Sequence, residues 1–352
     1  MKINNKYIIG THIMFFEIDM ADEHIQSINN ALATIDNTEN VGVDLFFNIS
    51  EYFEKIDRTE ITKEELINKF KKLVNKVNCE NVTYKIYDDP DPITMVDYRR
   101  DLNYFNCKHY DYVIWGETDC LIPKEIFQAL EQIKEYASSN NIHKYITTFA
   151  VRKMWDASWK PLEHSEFTDK PYYETQHPDG TRNEKAYNEP HSIRYTMSIE
   201  EMNTINAKAD EFELGILRQP QFDGSCLVLS TDLIKNGVNV PHCIMGHLVD
   251  DTSIMQSCRQ IMGQNYIQFI VKNILKVHNR CHPRKRLYAV DMNDGKKLAN
   301  FSIGGEKGNW FHKMKELVHF NLGNFGPSQA RFNTYNRNGW KSFSRLLIRK
   351  RI

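Results

Sequence analysis

Up to Val151 the chain alternates between short apolar runs and segments with helical periodicity, and this alternation is the strongest constraint on its fold. Apolar runs rich in β-branched and aromatic residues predict strands, and apolar residues repeating every three to four positions predict amphipathic helices. Together they indicate an α/β fold with a mostly parallel central sheet flanked by helices. The predicted strands are Lys6–Met14, Val41–Ile49, Val82–Tyr87, Tyr112–Trp115 and Ile142–Val151, and the predicted helices are Glu23–Ile35, one opening at the Thr62 and Glu65 capping box, one around Arg99–Asn103 and one from Pro123 to about Ser138.

Two acids follow the most apolar of these strands. The run ending at Trp115 predicts a buried strand that stops at Gly116, with Glu117 and Asp119 on a short turn before a helix opened by Pro123. Open α/β sheets bind ligands beyond the carboxyl ends of their strands. Carboxylates are the ligands that hard divalent cations prefer, and Mg²⁺ is usually held by one or two of them plus substrate phosphates. The alternative is that both acids are solvated or cap the following helix.

The composition restricts the class of protein. The chain has 352 residues, is 41% apolar and 26% charged, and carries a net charge of −1, as expected for a globular protein with no overall attraction to nucleic acid or membrane. Its seven cysteines are odd in number and lack C-x-x-C pairs, which favours reduced thiols over a disulfide framework or a zinc site.

Targeting and cofactor motifs restrict it further. No apolar run approaches the length of a membrane helix, and polar residues interrupt any signal-peptide core, so we expect a cytoplasmic protein without a transmembrane segment. No G-x-G-x-x-G or P-loop motif follows the first strand, which argues against a classical dinucleotide fold and a P-loop NTPase.

A second acid pair lies about 130 residues downstream. Asp250 and Asp251 follow Gly246 and precede a helix with an apolar face, although an Asp in that place is also a routine helix cap. Further along, Asn273–His278 predicts a strand that ends in a histidine.

The two acid pairs resemble motifs of a known family. The segments DYVIWGETDCLIPKEIFQAL and GHLVDDTSIM are similar to the D-x-D and E-D segments of GT-A glycosyltransferases, especially the large family 2. Here Glu117 replaces the first Asp of D-x-D, and Asp250 replaces the Glu of the second pair. The resemblance covers roughly residues 5 to 285 in element order. It implies a Rossmann-like GT-A fold and a hexosyltransferase-type enzyme that uses Mn²⁺ or Mg²⁺ and a nucleotide-diphosphate sugar donor.

The resemblance also implies roles for individual residues. The metal would be held by Glu117, Asp119 and a histidine, for which His278 is the first choice and His282 the second. Asp251 would be the general base of an inverting transfer, with Asp250 as the other catalytic acid. The predicted nucleotide-binding residues are Thr11, His12, Asn48, Arg99, Arg100 and Glu117.

The resemblance, together with the composition of the tail, predicts a division of the chain into domains. Residues 1–290 form the predicted catalytic domain, with a nucleotide-binding half (1–120) and an acceptor half (121–290) containing a long loop over 155–212. Residues 291–352 form a helical, basic C-terminal extension; after Glu316 it has seven basic residues and no acid. Such a segment suits contact with an anionic surface. The acceptor would be a carbohydrate, a lipid-linked glycan or a nucleic acid.

Two other classes of function stay open on sequence grounds. A nucleotidyltransferase also uses acid pairs and Mg²⁺ on an α/β sheet, although it usually has a basic, Gly-rich loop after the first strand, and Gly10-Thr11-His12 lacks one. A GT-A-like protein that binds glycan or nucleic acid without catalysis is the other alternative.

Overall fold

The computed structural model describes residues 1–49, 62–88, 95–152, 196–217, 224–240 and 250–279, with the single residues 162, 164, 179 and 181. Within these residues the protein forms one sheet of nine strands between helices. The strands are β1 (Tyr7–Met14), β2 (Val41–Asn48), β3 (Asn81–Tyr87), β4 (Tyr112–Glu117), β5 (Cys120–Leu121), β6 (Ile146–Val151), β7 (Leu214–Leu217), β8 (Leu227–Ser230) and β9 (Gln268–His278).

The sheet is mostly parallel, as the alternation of strands and helices predicts. Its order is β3-β2-β1-β4-β8-β6-β9-β5, and β7 pairs with β9 beside this path. The first four strands are parallel to one another, and β6 and β9 run in the same direction. Only β5, β7 and β8 of the described strands run the opposite way. The carboxyl ends of β1, β2, β4 and β9 therefore open toward one edge of the sheet.

Helices cover both faces of the sheet. They are α1 (Ala21–Leu32), α2 (Lys63–Val74), α3 (Met95–Asn106), α4 (Ile126–Ser139), α5 (Ile199–Asn206), α6 (Thr231–Lys235) and α7 (Asp250–Met262). Side chains of α1, α2 and α4 share one buried cluster with Ile9 and Ile114, whereas α3, α6 and α7 share a second cluster with Ile8 and Val113. Because neighbouring residues of a strand point to opposite faces, these two clusters lie on the two sides of the sheet.

The region around the first acid pair differs from the sequence prediction. Strand β4 does not stop at Gly116, because β1 continues to pair with it and His12 lies opposite Glu117. The helix that was expected to open at Pro123 begins at Ile126, whose N–H donates to the Pro123 carbonyl at 3.1 Å. Between them lies β5, a two-residue strand too short to be seen in the sequence.

The predicted loop over 155–212 is structured at its end. Helix α5 begins at a capping box in which Ser198 accepts from the Glu201 N–H, and β7 follows it. Both elements pack on β9, whose residues Gln268–His278 extend five positions upstream of the predicted strand start. Most of 155–195, together with His282 and the C-terminal extension, lies outside the described residues, so the domain boundaries stay predictions.

No helix in the described parts of the chain is both long enough and apolar enough to cross a bilayer.

Candidate metal centre

Three ligand side chains meet where β4, β5 and β9 come together. Glu117 is the last residue of β4, and Asp119 follows on the turn into β5. The antiparallel register places Cys120 opposite His278, and the Asn279 N–H donates to the Asp119 carbonyl at 2.6 Å. Backbone pairing therefore brings a histidine from much later in the chain to the turn that carries Asp119.

The distances within this group suit a single ion. His278 Nε2 lies 3.2 Å from Glu117 Oε2 and 3.6 Å from Asp119 Oδ1. One ligand atom from each of the three residues lies within 4.8 Å of the others. All three side chains are largely shielded from water, and Asp119 is only 5% exposed. Two shielded carboxylates this close repel each other unless a cation or a proton offsets their charge.

The donor set fits a divalent cation. Carboxylate oxygens suit Mg²⁺ and Mn²⁺, and an imidazole nitrogen is a common ligand of transition metals. Two carboxylates with one histidine therefore fit Mn²⁺ well.

Arg99 fixes the orientation of Glu117. The Arg99 guanidinium is 1% exposed, and its Nη2 donates to Glu117 Oε1 at 2.7 Å. It also lies over the ring of Trp115, 4.6 Å from the centroid, in a cation–π contact. One oxygen of Glu117 is thus bonded to Arg99 while the other faces His278. Arg99 is a predicted phosphate contact; in the structure it pairs with a candidate metal ligand.

His12 and Asn48 form a polar pair at the ends of β1 and β2. Asn48 Nδ2 lies 3.3 Å from His12 Nε2, and the His12 ring stacks on Phe46 with the centroids 5.6 Å apart. Burial, followed by the positive charge of Arg99, lowers the pKa of His12 to about 3. His12 is therefore neutral, and its Nε2 accepts from the Asn48 amide. The nucleotide contacts expected of this pair stay predictions.

Thr11 faces the other side of the sheet. Its Oγ1 lies 2.9 Å from Nε2 of His24, a fully buried histidine on α1. Because alternate residues of β1 point to opposite faces, the side chains of Thr11 and His12 lie on opposite sides of the sheet. The nucleotide contact predicted for Thr11 stays a prediction.

Arg100 is bonded to the segment that follows α6. Its Nη1 donates to the Val240 carbonyl, and Asn239 Nδ2 donates to the Arg100 carbonyl at 3.3 Å. Burial lowers the pKa of Arg100 to about 10. The residue thus joins α3 to the segment between α6 and α7, and a nucleotide contact by Arg100 stays a prediction.

The second acid pair opens α7. Asp250 and Asp251 are its first two residues, and Asp251 is half-buried. Ile254 and Cys258 of α7 belong to the same buried cluster as Tyr98 and Leu102 of α3. The helix that carries Asp251 therefore packs on the helix that carries Arg99. A catalytic role for either acid stays a prediction.

Sequence reasoning missed His24. The residue lies on the apolar side of the α1 repeat, one helical turn before Ile28, where a polar side chain must find a buried partner. A histidine on the apolar side of a helix could have been recognised in the sequence, but its hydrogen-bond partners could not.

Comparisons with known proteins give distant similarity only. No family model matches the chain, and no curated protein matches it. Among solved structures, the chain is similar to residues 1–349 of TarS from S. aureus, with 11% identity and a TM-score of 0.38 over 90% of this chain and 72% of that one. It is also similar to the bifunctional glycosyltransferase WbbM in its apo form, with 10% identity and a TM-score of 0.28 over 66% of this chain and 32% of that one.

Proposed function

We propose that this protein is a metal-dependent glycosyltransferase that moves a hexose from a nucleotide-diphosphate sugar to an acceptor hydroxyl. The observation that supports the proposal is the convergence of Glu117, Asp119 and His278 at the carboxyl ends of β4 and β9. Ligands of open α/β sheets bind at this edge. The acid motifs that resemble family 2 of the GT-A glycosyltransferases supply two of the three residues.

A cation at this centre would offset the negative charge of the leaving group. A divalent cation, when bound, supplies positive charge to a diphosphate that becomes more negative as its bond to the sugar breaks. Glu117, Asp119 and His278 would hold Mn²⁺ or Mg²⁺. Arg99 keeps the Glu117 carboxylate in place and adds a permanent positive charge to this edge of the sheet.

The acceptor hydroxyl must lose a proton as it attacks the sugar. We assign this proton to the carboxylate of Asp251, which acts as general base with Asp250 beside it. Attack from the face opposite the leaving group gives a single displacement, and the anomeric centre inverts. The His12 and Asn48 pair would contact the nucleotide, because it lies toward the carboxyl ends of β1, which neighbours β4, and of β2, the next strand along the sheet.

A screen of nucleotide sugars tests the proposal. Thermal stability and donor hydrolysis are measured with Mn²⁺, Mg²⁺ or EDTA for the wild type, Asp119→Asn and the control Asp232→Asn, which changes a partly exposed acid on α6. We expect one donor to stabilise the wild type and the control in the presence of metal, with the effect lost in Asp119→Asn.

The products distinguish the alternatives. Release of a nucleoside diphosphate and a product of inverted anomeric configuration support the proposed reaction. Pyrophosphate release would indicate a nucleotidyltransferase. No response to any donor would favour a protein that binds glycan or nucleic acid without catalysis.

A further inference from the structure

His24 joins helix α1 to the turn that carries Asp119. His24 Nδ1 lies 2.6 Å from the carbonyl oxygen of Cys120, the residue directly after Asp119. A carbonyl only accepts hydrogen bonds, so Nδ1 carries the proton, and the unprotonated Nε2 accepts from the Thr11 hydroxyl at 2.9 Å. Burial lowers the pKa of His24, which keeps the ring neutral and this arrangement intact. The ring thus connects β1 to the start of β5.

Ser27, one turn further along α1, holds the other end of the same short segment. Its Oγ donates to the His24 carbonyl at 2.7 Å and accepts from the Ile122 N–H at 3.0 Å. The residues between Asp119 and Pro123 are therefore bonded to α1 at both ends. On their other side, β5 pairs with β9 through His278.

Gly116 provides the space for this connection. A Cβ atom at Gly116 would lie 2.3 Å from Thr11 Oγ1 and 2.9 Å from His24 Nε2. No real Cβ makes contacts that short, so the bonded pair occupies the space a side chain would fill. The pair therefore packs directly on the backbone of β4, one residue before Glu117.

We propose that His24, supported by Thr11 and Ser27, is the positioning residue of the metal centre. It holds the turn that carries Asp119 in a fixed relation to Glu117 and His278, so that the ligand atoms are in place before an ion arrives. Residues that orient metal ligands change metal affinity by about 10- to 100-fold when they are removed. The effect on metal affinity rests on the proposed function, whereas the effect on the turn does not.

Two variants of His24 test the effect on the ion. The affinity for Mn²⁺ is measured from the free-ion electron paramagnetic resonance signal for the wild type, His24→Ala and His24→Asn. We expect His24→Ala to bind Mn²⁺ about 10- to 100-fold more weakly. His24→Asn keeps an N–H donor near the position of Nδ1, and we expect it to recover part of the loss. Unchanged affinity in a folded His24→Ala protein would overturn the proposal.

A measurement without metal separates this inference from the proposed function. Hydrogen exchange is followed by mass spectrometry in peptides covering residues 117–123, with β2 as the internal reference. We expect faster exchange at 117–123 in His24→Ala and no change in β2. If the wild type binds no Mn²⁺, the proposed function fails while the exchange result still decides the role of His24.

Two milder variants cover the case in which His24→Ala does not fold. Thr11→Val removes the hydroxyl donor with little change of shape, and Ser27→Ala removes the bond to the Ile122 N–H. Each should speed exchange in the same peptides. Wild-type exchange in both variants would contradict the proposal.

Discussion

Among single residues, Arg99 is a buried cation paired with one ligand of the candidate metal centre. Its buried guanidinium is paired with Glu117 and lies over Trp115, so the carboxylate is held by a group that cannot lose its charge. Removing one partner of a buried ion pair leaves the other charge uncompensated, which costs more than the pair contributes.

Arg99→Met should therefore destabilise the fold. We expect the free energy of unfolding to fall by about 3 kcal/mol, the lower end of the range for broken buried pairs. Urea denaturation measures this loss. The control is Lys69→Met, which breaks an exposed pair with Asp19 and should cost less than about 1 kcal/mol. Equal effects of the two substitutions would contradict a special role for Arg99.

Burial of His12 makes the stability of the fold depend on pH. Its folded pKa is lowered to about 3, whereas the unfolded chain has the ordinary value of about 6.5. Between these values the unfolded state binds a proton that the folded state does not, so stability falls as the pH decreases. The loss reaches about 1.4 kcal/mol per pH unit for one such group. Above about pH 6.5 His12 contributes no pH dependence.

His12→Gln should flatten this dependence. We expect the loss of unfolding free energy between pH 7 and pH 5 to be smaller in the variant than in the wild type, because Gln does not titrate. Urea denaturation at both pH values provides the comparison. His109→Gln is the matched control, because it removes an exposed histidine by the same substitution. An unchanged slope in His12→Gln would show that the histidine is not buried in neutral form.

At the level of elements, the junction between β4 and β5 depends on close packing against α1. Gly116→Ala would place a methyl group against the Thr11 and His24 pair. We expect a loss of about 1 to 3 kcal/mol of stability, typical of overpacking, and faster amide exchange over residues 117–123. At Gly215 the nearest atom to an added Cβ is the flexible end of Lys272, so Gly215→Ala should cost less. A neutral effect of Gly116→Ala would argue against the tight junction.

Two asparagine side chains attach the segment around α5 to β9 and to the residue that follows it. Asn206 donates to the Leu275 carbonyl at 2.9 Å and accepts from the Leu275 N–H at 2.8 Å, and Asn279 forms the same two bonds with Met197. An amide is needed because it both donates and accepts. Both bonded pairs are buried, so the loss of one partner is costly.

Asn206→Asp tests this attachment. The new carboxylate oxygen would face the Leu275 carbonyl with no proton between them, and we expect a loss of about 1 to 3 kcal/mol or more of unfolding free energy. Asn236→Asp, at an exposed position on the turn after α6, is the control and should be nearly neutral. The attachment would be unimportant if thermal denaturation showed the same midpoint for both variants.

Local signals allowed much of the fold to be predicted from the sequence. The periodicity of α1 and α2, the capping box at Thr62 and the apolar runs of β1 to β4 each depend on neighbouring residues, and the structure has these elements with small shifts of boundary. The start of α7 at the second acid pair is also as expected. These features need no knowledge of distant contacts.

The features that the sequence did not predict depend on contacts between residues far apart in the chain. Strand β5 exists because β9 pairs with it more than 150 residues later, and His24 bonds to a carbonyl 96 residues away. The reversal of β8 between β4 and β6 likewise depends on which strands meet in space. The resemblance to GT-A glycosyltransferases grouped Glu117, Asp119 and His278 as metal ligands, and the fold shows one ligand atom of each within 4.8 Å of the others.

In the whole molecule, the two halves of the chain meet at one edge of the sheet. The first half supplies Arg99, Glu117 and Asp119, and the second supplies His278 through the pairing of β9 with β5. A function at this edge therefore depends on residues from both halves. We infer that the three ligand side chains at this edge bind one divalent cation.

Direct titration with Mn²⁺ tests that claim. Isothermal calorimetry on the metal-free wild type, Asp119→Asn and the control Asp232→Asn should show a single Mn²⁺ site in the wild type and the control. Asp119→Asn should lose this site while keeping its fold, as judged by circular dichroism. A folded wild type that binds no Mn²⁺, or equal binding by Asp119→Asn, would contradict the assignment of Glu117, Asp119 and His278 as a metal centre.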